Sequence, residues 1–298
     1  MLKVYLIQMD SAKGSKSENL DRAKAMILDT HPAEGSLILL PEMFATGYIP
    51  ANLAAAAEDF STNTAGETAR MLSEIADATN CTIMGAGITR ASSGYFNHVS
   101  IYAPHTPKEF CGYNKMNLFF PEKESFKAGE NINLFKLKEI PSPYADHAHI
   151  SAKALSDQRD QVGNDNKAES VSWTIASFIC YDLRFPEIFR EVTKKGANLI
   201  TIQAAWPAKR RAHWETLLKA RAIENQVYIA AVNAVSTAPN APTPLAGTSL
   251  IISPNGDIIA EGSTQSEMII TTELDLQAER NYRKSFPVLD GIVPPDLI

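Results

Sequence analysis

Val171-Ser-Trp-Thr-Ile-Ala-Ser-Phe-Ile-Cys180, followed at once by Tyr181-Asp-Leu-Arg-Phe-Pro-Glu187, is the stretch on which the reading of this chain turns. Val, Trp, Thr, Ile and Phe suit a buried pleated surface, so the run predicts a core strand. Pro186 suits the first turn of a helix. Cys180 therefore falls at a strand-to-helix junction. There its sulfur can face a crevice, and neighbouring backbone N–H groups can bind an oxyanion. That is a position for a nucleophile. Free cysteine is also a small buried hydrophobe, and the strand taken alone favours this second reading.

Outward from this stretch, strand and helix signals alternate in both directions. Toward the N-terminus, strands are expected over residues 4–9, 36–40, 82–89, 97–103 and 109–113. Helices are expected over 19–28, starting near Ser17 or Glu18, and over 67–78. Toward the C-terminus come a helix over 187–195, a strand over 198–203, a helix over 214–225 and a strand over 227–232. Ser253-Pro-Asn-Gly256 then reads as a hairpin turn between strands 247–252 and 257–261, before a strand at 268–274 and a helix at 278–285. The alternation predicts an α/β protein with two sheets covered by helices. No linker divides the pattern and no tandem repeat is visible, so residues 1–298 read as one domain. The polar, proline-containing stretch 141–170 reads as a surface insertion. His147 and His149 within it read as loop residues rather than metal ligands.

Composition narrows the function. The chain has 298 residues, 45% hydrophobic and 21% charged, which is ordinary globular composition. A net charge of −6 argues against a nucleic-acid surface. No run approaches the roughly 18 apolar residues of a membrane span, and the start lacks a signal-peptide cleavage pattern. Cys81, Cys111 and Cys180 show no C-x-x-C spacing, so neither a disulfide framework nor a zinc site is expected, and a reducing cytoplasm fits.

Two further polar residues stand at the ends of apolar runs. Glu42 follows Leu39-Leu-Pro41, and Lys115 lies within Tyr113-Asn-Lys-Met-Asn-Leu-Phe119. Singly, Glu42 reads as a loop carboxylate or helix cap and Lys115 as a snorkelling lysine. Jointly with Cys180 they supply a thiol, a carboxylate and an ammonium, a set sufficient for acyl transfer. No histidine accompanies the cysteine in a motif, and no G-x-S-x-G elbow is present.

In these three segments, Leu-Pro-Glu42, Tyr-Asn-Lys115 and Ile-Cys180-Tyr-Asp-Leu-Arg-Phe-Pro-Glu, the chain resembles the carbon–nitrogen hydrolases of the nitrilase superfamily. Residues 206–226, starting Trp206-Pro-Ala-Lys-Arg-Arg, and Phe126-Lys-Ala-Gly129 resemble its omega-amidase branch. Asn117 departs from the histidine many relatives carry, and Phe120-Pro121 departs from a Met-Ala-Gly run. The resemblance implies a four-layer α-β-β-α sandwich that pairs into a homodimer or larger homo-oligomer through the helices after Cys180 and Pro207. It implies hydrolysis of small 2-oxo acid amides, with no metal and no organic cofactor. By the same resemblance Cys180 is the nucleophile, Glu42 the general base and Lys115 an oxyanion donor, joined by the Tyr181 backbone N–H. Glu122 orients Lys115.

Arg184 is a candidate for the substrate carboxylate, although it could equally pair with Asp182 or Glu187. Lys209, Arg210 and Arg211 are other candidates, and Tyr48, Phe119 and Trp206 are candidate pocket walls. Tyr181-Asp182, where nitrilases carry Trp-Glu, favours an amidase. An N-carbamoyl amino acid hydrolase, another small aliphatic amidase, a catalytically silent binding protein, and a Cys–His peptidase using His213 remain as alternatives.

Overall fold

A computed structural model describes residues 1–11, 14–61, 66–106, 108–138, 172–238 and 240–292. The expected insertion at 141–170, with His147 and His149, lies outside the described residues. In chain order the elements are β1 (Leu2–Gln8), α1 (Lys16–Asp29), β2 (Leu37–Leu39), α2 (Leu53–Ala56), α3 (Glu67–Thr79), β3 (Thr82–Ala91), β4 (Gly94–Tyr102), β5 (Cys111–Asn114) and β6 (Leu134–Lys138). Then follow β7 (Ser172–Ile179), α4 (Pro186–Lys194), β8 (Leu199–Ala204), α5 (Arg211–Asn225), β9 (Tyr228–Asn233), β10 (Leu250–Ile252), β11 (Ile258–Glu261), β12 (Met268–Leu274) and α6 (Leu276–Ser285).

The strands form two six-stranded sheets, ordered β12-β1-β2-β3-β4-β5 and β11-β10-β9-β8-β7-β6. Each sheet has three central parallel strands, β1-β2-β3 in one and β7-β8-β9 in the other. Each adds one antiparallel strand on the first side and two on the other. The two halves thus share one topology, although no repeat is visible in the sequence.

Side-chain alternation explains how the layers stack. On β1, Leu2, Val4 and Leu6 face the second sheet, while Tyr5 and Ile7 face α1 and α3. On β2, Leu37 and Leu39 face inward and Ile38 faces the helices. The inter-sheet core continues through Trp173, Ile175 and Phe178 to Phe189 on α4 and Leu218 on α5. The result is the α-β-β-α sandwich. Burying a Leu, Ile, Val or Phe side chain contributes about 1.5–3 kcal/mol, so this core dominates the fold.

Local chemistry sets the element ends. Helix α1 starts at Lys16, earlier than expected, because Ser15 and Glu18 form a reciprocal capping box. Gly66 offers α3 no capping side chain, so buried Glu58 accepts from the Thr68 and Ala69 N–H groups instead. Pro186 occupies the first turn of α4, and Gly256, at φ 93°, turns the β10–β11 hairpin.

Candidate active site

Four buried ionisable residues meet where strands of both sheets end. Glu42 follows β2, Lys115 follows β5, Glu122 lies in a 3-10 turn over Phe120–Glu124, and Cys180 follows β7. Glu42, Lys115 and Glu122 have no exposed surface, and Cys180 has 8%. Lys115 is therefore no snorkelling surface residue. Its Nζ donates to Glu42 Oε1 (2.8 Å) and to Glu122 Oε1 (2.9 Å). It also lies 2.8 Å from Glu122 Oε2, so one ammonium serves two carboxylates.

Asn97, on β4, bridges the same carboxylates. Its Nδ2 donates to Glu42 Oε1 (2.7 Å) and Glu122 Oε1 (2.8 Å). The second oxygen of each carboxylate is held by backbone, Ala205 N to Glu42 Oε2 (2.9 Å) and Phe119 N to Glu122 Oε2 (2.7 Å). Glu42 is consequently fixed between the sheets. Sequence reasoning passed over Asn97, because an asparagine within an alternating strand carries no signal of its own.

The turn after β7 is held by Asp182. Its Oδ2 accepts from Ile179 N (3.0 Å) and Tyr113 Oη (2.8 Å). Its Oδ1 accepts from Asn117 N (2.8 Å) and Asn117 Nδ2 (3.0 Å). Asp182 thereby ties the Cys180 turn to the Lys115 segment through three hydrogen bonds, two of them from Asn117. Cys180 itself has φ 44°, a left-handed conformation that costs a residue with a Cβ about 1–3 kcal/mol. The sharp turn directs the sulfur to the cavity. Gly129 packs against this loop: its N–H donates to Lys115 O (2.8 Å), and a Cβ there would meet Asn114 O at 2.1 Å.

The electrostatics follow from burial and charge. Burial pushes the Cys180 thiol well above its ordinary range, and the Glu42 carboxylate beside it pushes the same way. Lys115 only partly opposes them, so Cys180 rests as a thiol. Burial alone would lower the Lys115 pKa, but the Glu42 and Glu122 carboxylates outweigh it and keep the ammonium charged. Burial raises Glu122, against the pull of Lys115. Tyr48 is raised by burial and by Glu42 and Glu122, so its phenol stays protonated.

Cys180 opens on a cavity of about 520 Å³. Tyr48, Phe119, Tyr181 and Trp206 line it, as do Arg184, Lys209 and Arg210, with Pro242 and Thr243. The structure thus brings every candidate wall residue to one cavity. Arg184 pairs with neither Asp182 nor Glu187. Its guanidinium lies over the Trp206 ring, 4.6 Å from the centroid, with His213 Nδ1 at 3.4 Å. Arg211 starts α5 and does not line the cavity. His213 is exposed on α5 and reaches Arg184, not the thiol, which removes the support for a Cys–His pair. Among the described residues, no cluster of His, Cys, Asp and Glu could hold a metal ion, and no helix is long and apolar enough to cross a membrane.

Similarity to known proteins extends over most of the chain. A family model described as carbon-nitrogen hydrolase matches residues 3–284. The chain is 32% identical over 289 residues to the 2-oxoglutaramate amidase of Bacillus subtilis (strain 168), covering 97% of this chain and 96% of that protein. It is 31% identical over 253 residues to the omega-amidase YafV of Escherichia coli (strain K12), covering 84% and 82%. Among solved structures, a CN-hydrolase superfamily protein from Xanthomonas campestris, with an arsenic adduct in its active site, superposes with a TM-score of 0.76. It shares 28% identity over 98% of both chains.

Proposed function

The chain belongs to the carbon–nitrogen hydrolase family, and we propose that it is an amidohydrolase cleaving the terminal amide of small 2-oxo acid amides, such as 2-oxoglutaramate and 2-oxosuccinamate. The observation that carries this reading is a buried Glu42–Lys115–Glu122 cluster behind a thiol, opening on a cavity whose charged lining residues are all cations. The relatives named 2-oxoglutaramate amidase and omega-amidase support the same substrate class.

In this mechanism Cys180 Sγ attacks the amide carbon while its proton passes to Glu42. The raised thiol pKa makes that transfer necessary, because little free thiolate is present. The Lys115 ammonium and the backbone N–H of Tyr181 bind the resulting oxyanion. Glu42 then gives its proton to the nitrogen, the C–N bond breaks, ammonia leaves and a thioester remains. Water attacks the thioester and yields a proton to Glu42. The C–S bond breaks, and the proton returns to the sulfur. Glu122 and Asn97 hold Lys115 and Glu42 in register through both halves. Arg184 binds the far carboxylate, and Tyr48, Phe119 and Trp206 wall the chain between. The chemistry needs no cofactor, since the thiol supplies the covalent step.

Three coarser features go with this reading. The inter-sheet core joins residues from Leu2 to Leu276, which supports a single domain. The free thiols of Cys81, Cys111 and Cys180 fit a reducing cytoplasm. A homodimer through α4 and α5 would adjoin the nucleophile turn, because Arg221 on α5 donates to Leu183 O.

The test is an ammonia-release screen over 2-oxoglutaramate, 2-oxosuccinamate, glutamine, aliphatic amides, carbamoyl amino acids and nitriles, with Cys180→Ala alongside. The highest kcat/KM is expected for the 2-oxo acid amides, with none for Cys180→Ala. Preference for carbamoyl amino acids, with release of carbon dioxide, would replace this substrate reading.

A further inference from the structure

Glu42 Oε1 accepts from both Lys115 Nζ (2.8 Å) and Asn97 Nδ2 (2.7 Å). Among the described residues, Oε2 accepts from Ala205 N alone (2.9 Å). A carboxylate oxygen has two lone pairs. Oε1 is therefore filled, and Oε2 is the atom with room for the Cys180 proton. The Ala205 N–H also faces the thiol. Burial and the Glu42 charge raise the Cys180 pKa, and the Ala205 N–H, with Lys115, works against them by bonding the sulfur. One backbone donor thus serves both ends of the first proton transfer.

The end of β9 fixes this donor. Strand β8 ends at Ala204, paired with Asn233, the last residue of β9. Past that pair the ladder stops, and the Asn233 side chain continues it. Its Oδ1 accepts from Trp206 N (2.7 Å), and its Nδ2 donates to Gly247 O (2.7 Å). Ala234 N donates to Ala204 O (2.9 Å). The planar peptide units on both sides of Ala205 are thus held by two successive residues. Asn233 is fixed in turn from the other sheet. Its N–H donates to Ser249 Oγ (3.0 Å), and Ser249 Oγ donates to Gln8 Oε1 (2.9 Å) at the end of β1. Gln8, Asn233 and Ser249 have no exposed surface. A satisfied, buried and neutral network of this kind is rigid, and no member of it changes charge with pH.

We propose that Asn233 is a positioning residue for the first proton transfer: by clamping Trp206 N it keeps the Ala205 N–H aimed between Glu42 Oε2 and the Cys180 sulfur. The proposal rests on the Cys180–Glu42 chemistry of the amidase reading and deepens it. The proton leaves Sγ for Oε2 as the S–C bond to the amide carbon forms, and the carbonyl electron pair moves onto oxygen. Negative charge lies on Glu42 before this step and passes through sulfur toward the substrate oxygen during it. A fixed donor between the two atoms stabilises the charge in either place and needs no reorganisation at the moment of reaction. Asn233 touches neither reacting atom, so it acts through the backbone it holds.

The test compares Asn233→Leu and Asn233→Asp with the wild type in two assays. One is kcat and KM for 2-oxoglutaramate. The other is the rate of Cys180 alkylation by iodoacetamide, which needs the thiol proton removed but no turnover. Leu keeps the volume and offers neither acceptor nor donor. A folded Asn233→Leu should lose about 100-fold in kcat and about tenfold in alkylation rate, the scale of a misplacement of about 1 Å. Its KM should stay within about threefold. Asp behaves differently. Its protonated carboxyl reproduces both bonds of the amide, whereas its carboxylate cannot donate to Gly247 O. Burial raises the pKa of such a carboxyl, so kcat relative to wild type should fall as pH rises from about 5 to about 9. Thermal melts report which variants fold, and the Asp variant at low pH serves where Asn233→Leu does not fold. A folded Asn233→Leu with kcat and alkylation within about threefold of wild type, a loss confined to KM, or a ratio for Asn233→Asp that does not change with pH would overturn the proposal. Slowed alkylation in a protein whose wild type hydrolyses no 2-oxo acid amide would instead remove the substrate reading and leave the role of Asn233 standing.

Discussion

Replacing Lys115 by Met keeps most of the side chain's volume and removes its charge. Glu42 and Glu122 then lose the Nζ that bridges them at 2.8 and 2.9 Å and keep Asn97 Nδ2 as their common donor. Removing one partner from a buried ion pair costs about 3–5 kcal/mol. Two facing buried carboxylates do not both stay ionised, so one binds a proton with a raised pKa. The sign follows. A folded pKa above the unfolded value of about 4.3 leaves the penalty smallest below that value, and the penalty grows as pH rises toward the folded pKa. At about 1.36 kcal/mol per unit, a carboxylate still protonated at pH 8 makes the penalty roughly 4 kcal/mol smaller at pH 5 than at pH 8. Urea unfolding of both proteins at the two pH values measures this. Lys115→Met should lose about 3–5 kcal/mol at pH 8 and far less at pH 5. Its kcat should fall about 100- to 1000-fold, as for loss of one oxyanion donor. Equal destabilisation at both pH values, or a kcat within a fewfold of wild type, would refute the reasoning.

Asn97→Leu removes a neutral donor from both carboxylates, so the acid limb of kcat/KM should move to higher pH, with kcat reduced more than KM rises; an unmoved limb would make Asn97 a packing residue. Gly129→Ala brings a Cβ against Asn114 O, so the Lys115 loop must shift; overpacking of this kind costs about 1–3 kcal/mol, and ammonia release should drop while circular dichroism stays native. Glu279, buried on α6, has its carboxyl pushed up to about 7 by burial, against the pull of Arg283 and Arg280. Its raised pKa gives stability that is present below the unfolded value and lost as pH rises through 7, worth up to about 3 kcal/mol. Glu279→Gln should flatten the stability profile between pH 5 and 8, which denaturant titrations would show.

The layers were legible because β1 and β2 alternate: Leu2, Val4 and Leu6 on one face, Tyr5 and Ile7 on the other. Strand β6 was not expected, since Leu134-Phe-Lys-Leu-Lys138 reads as an ordinary amphipathic segment until β7 pairs with it. The four residues of α2 are too few to show a helical period. In the candidate site, Glu42, Lys115 and Cys180 stood out as polar residues ending apolar runs. Asn97 and Asp182 did not, because their significance lies in partners that only folding brings near. Asn97 sits 55 residues from Glu42, and Asp182 sits 65 from Asn117. The absence of a carboxylate beside Arg184 was equally invisible. Sequence left Asp182 and Glu187 as its partners, whereas Asp182 is consumed by Tyr113, Asn117 and Ile179.

The central claim is that a thiol buried beside Glu42 carries the acyl group. Acid quenching of the protein during turnover of 2-oxoglutaramate, followed by mass spectrometry of the peptide holding Cys180, tests it directly. An acyl adduct on Cys180, formed as ammonia appears and lost as the acid is released, is predicted. Steady ammonia release with Cys180 unmodified throughout, and undiminished in Cys180→Ala, would contradict it.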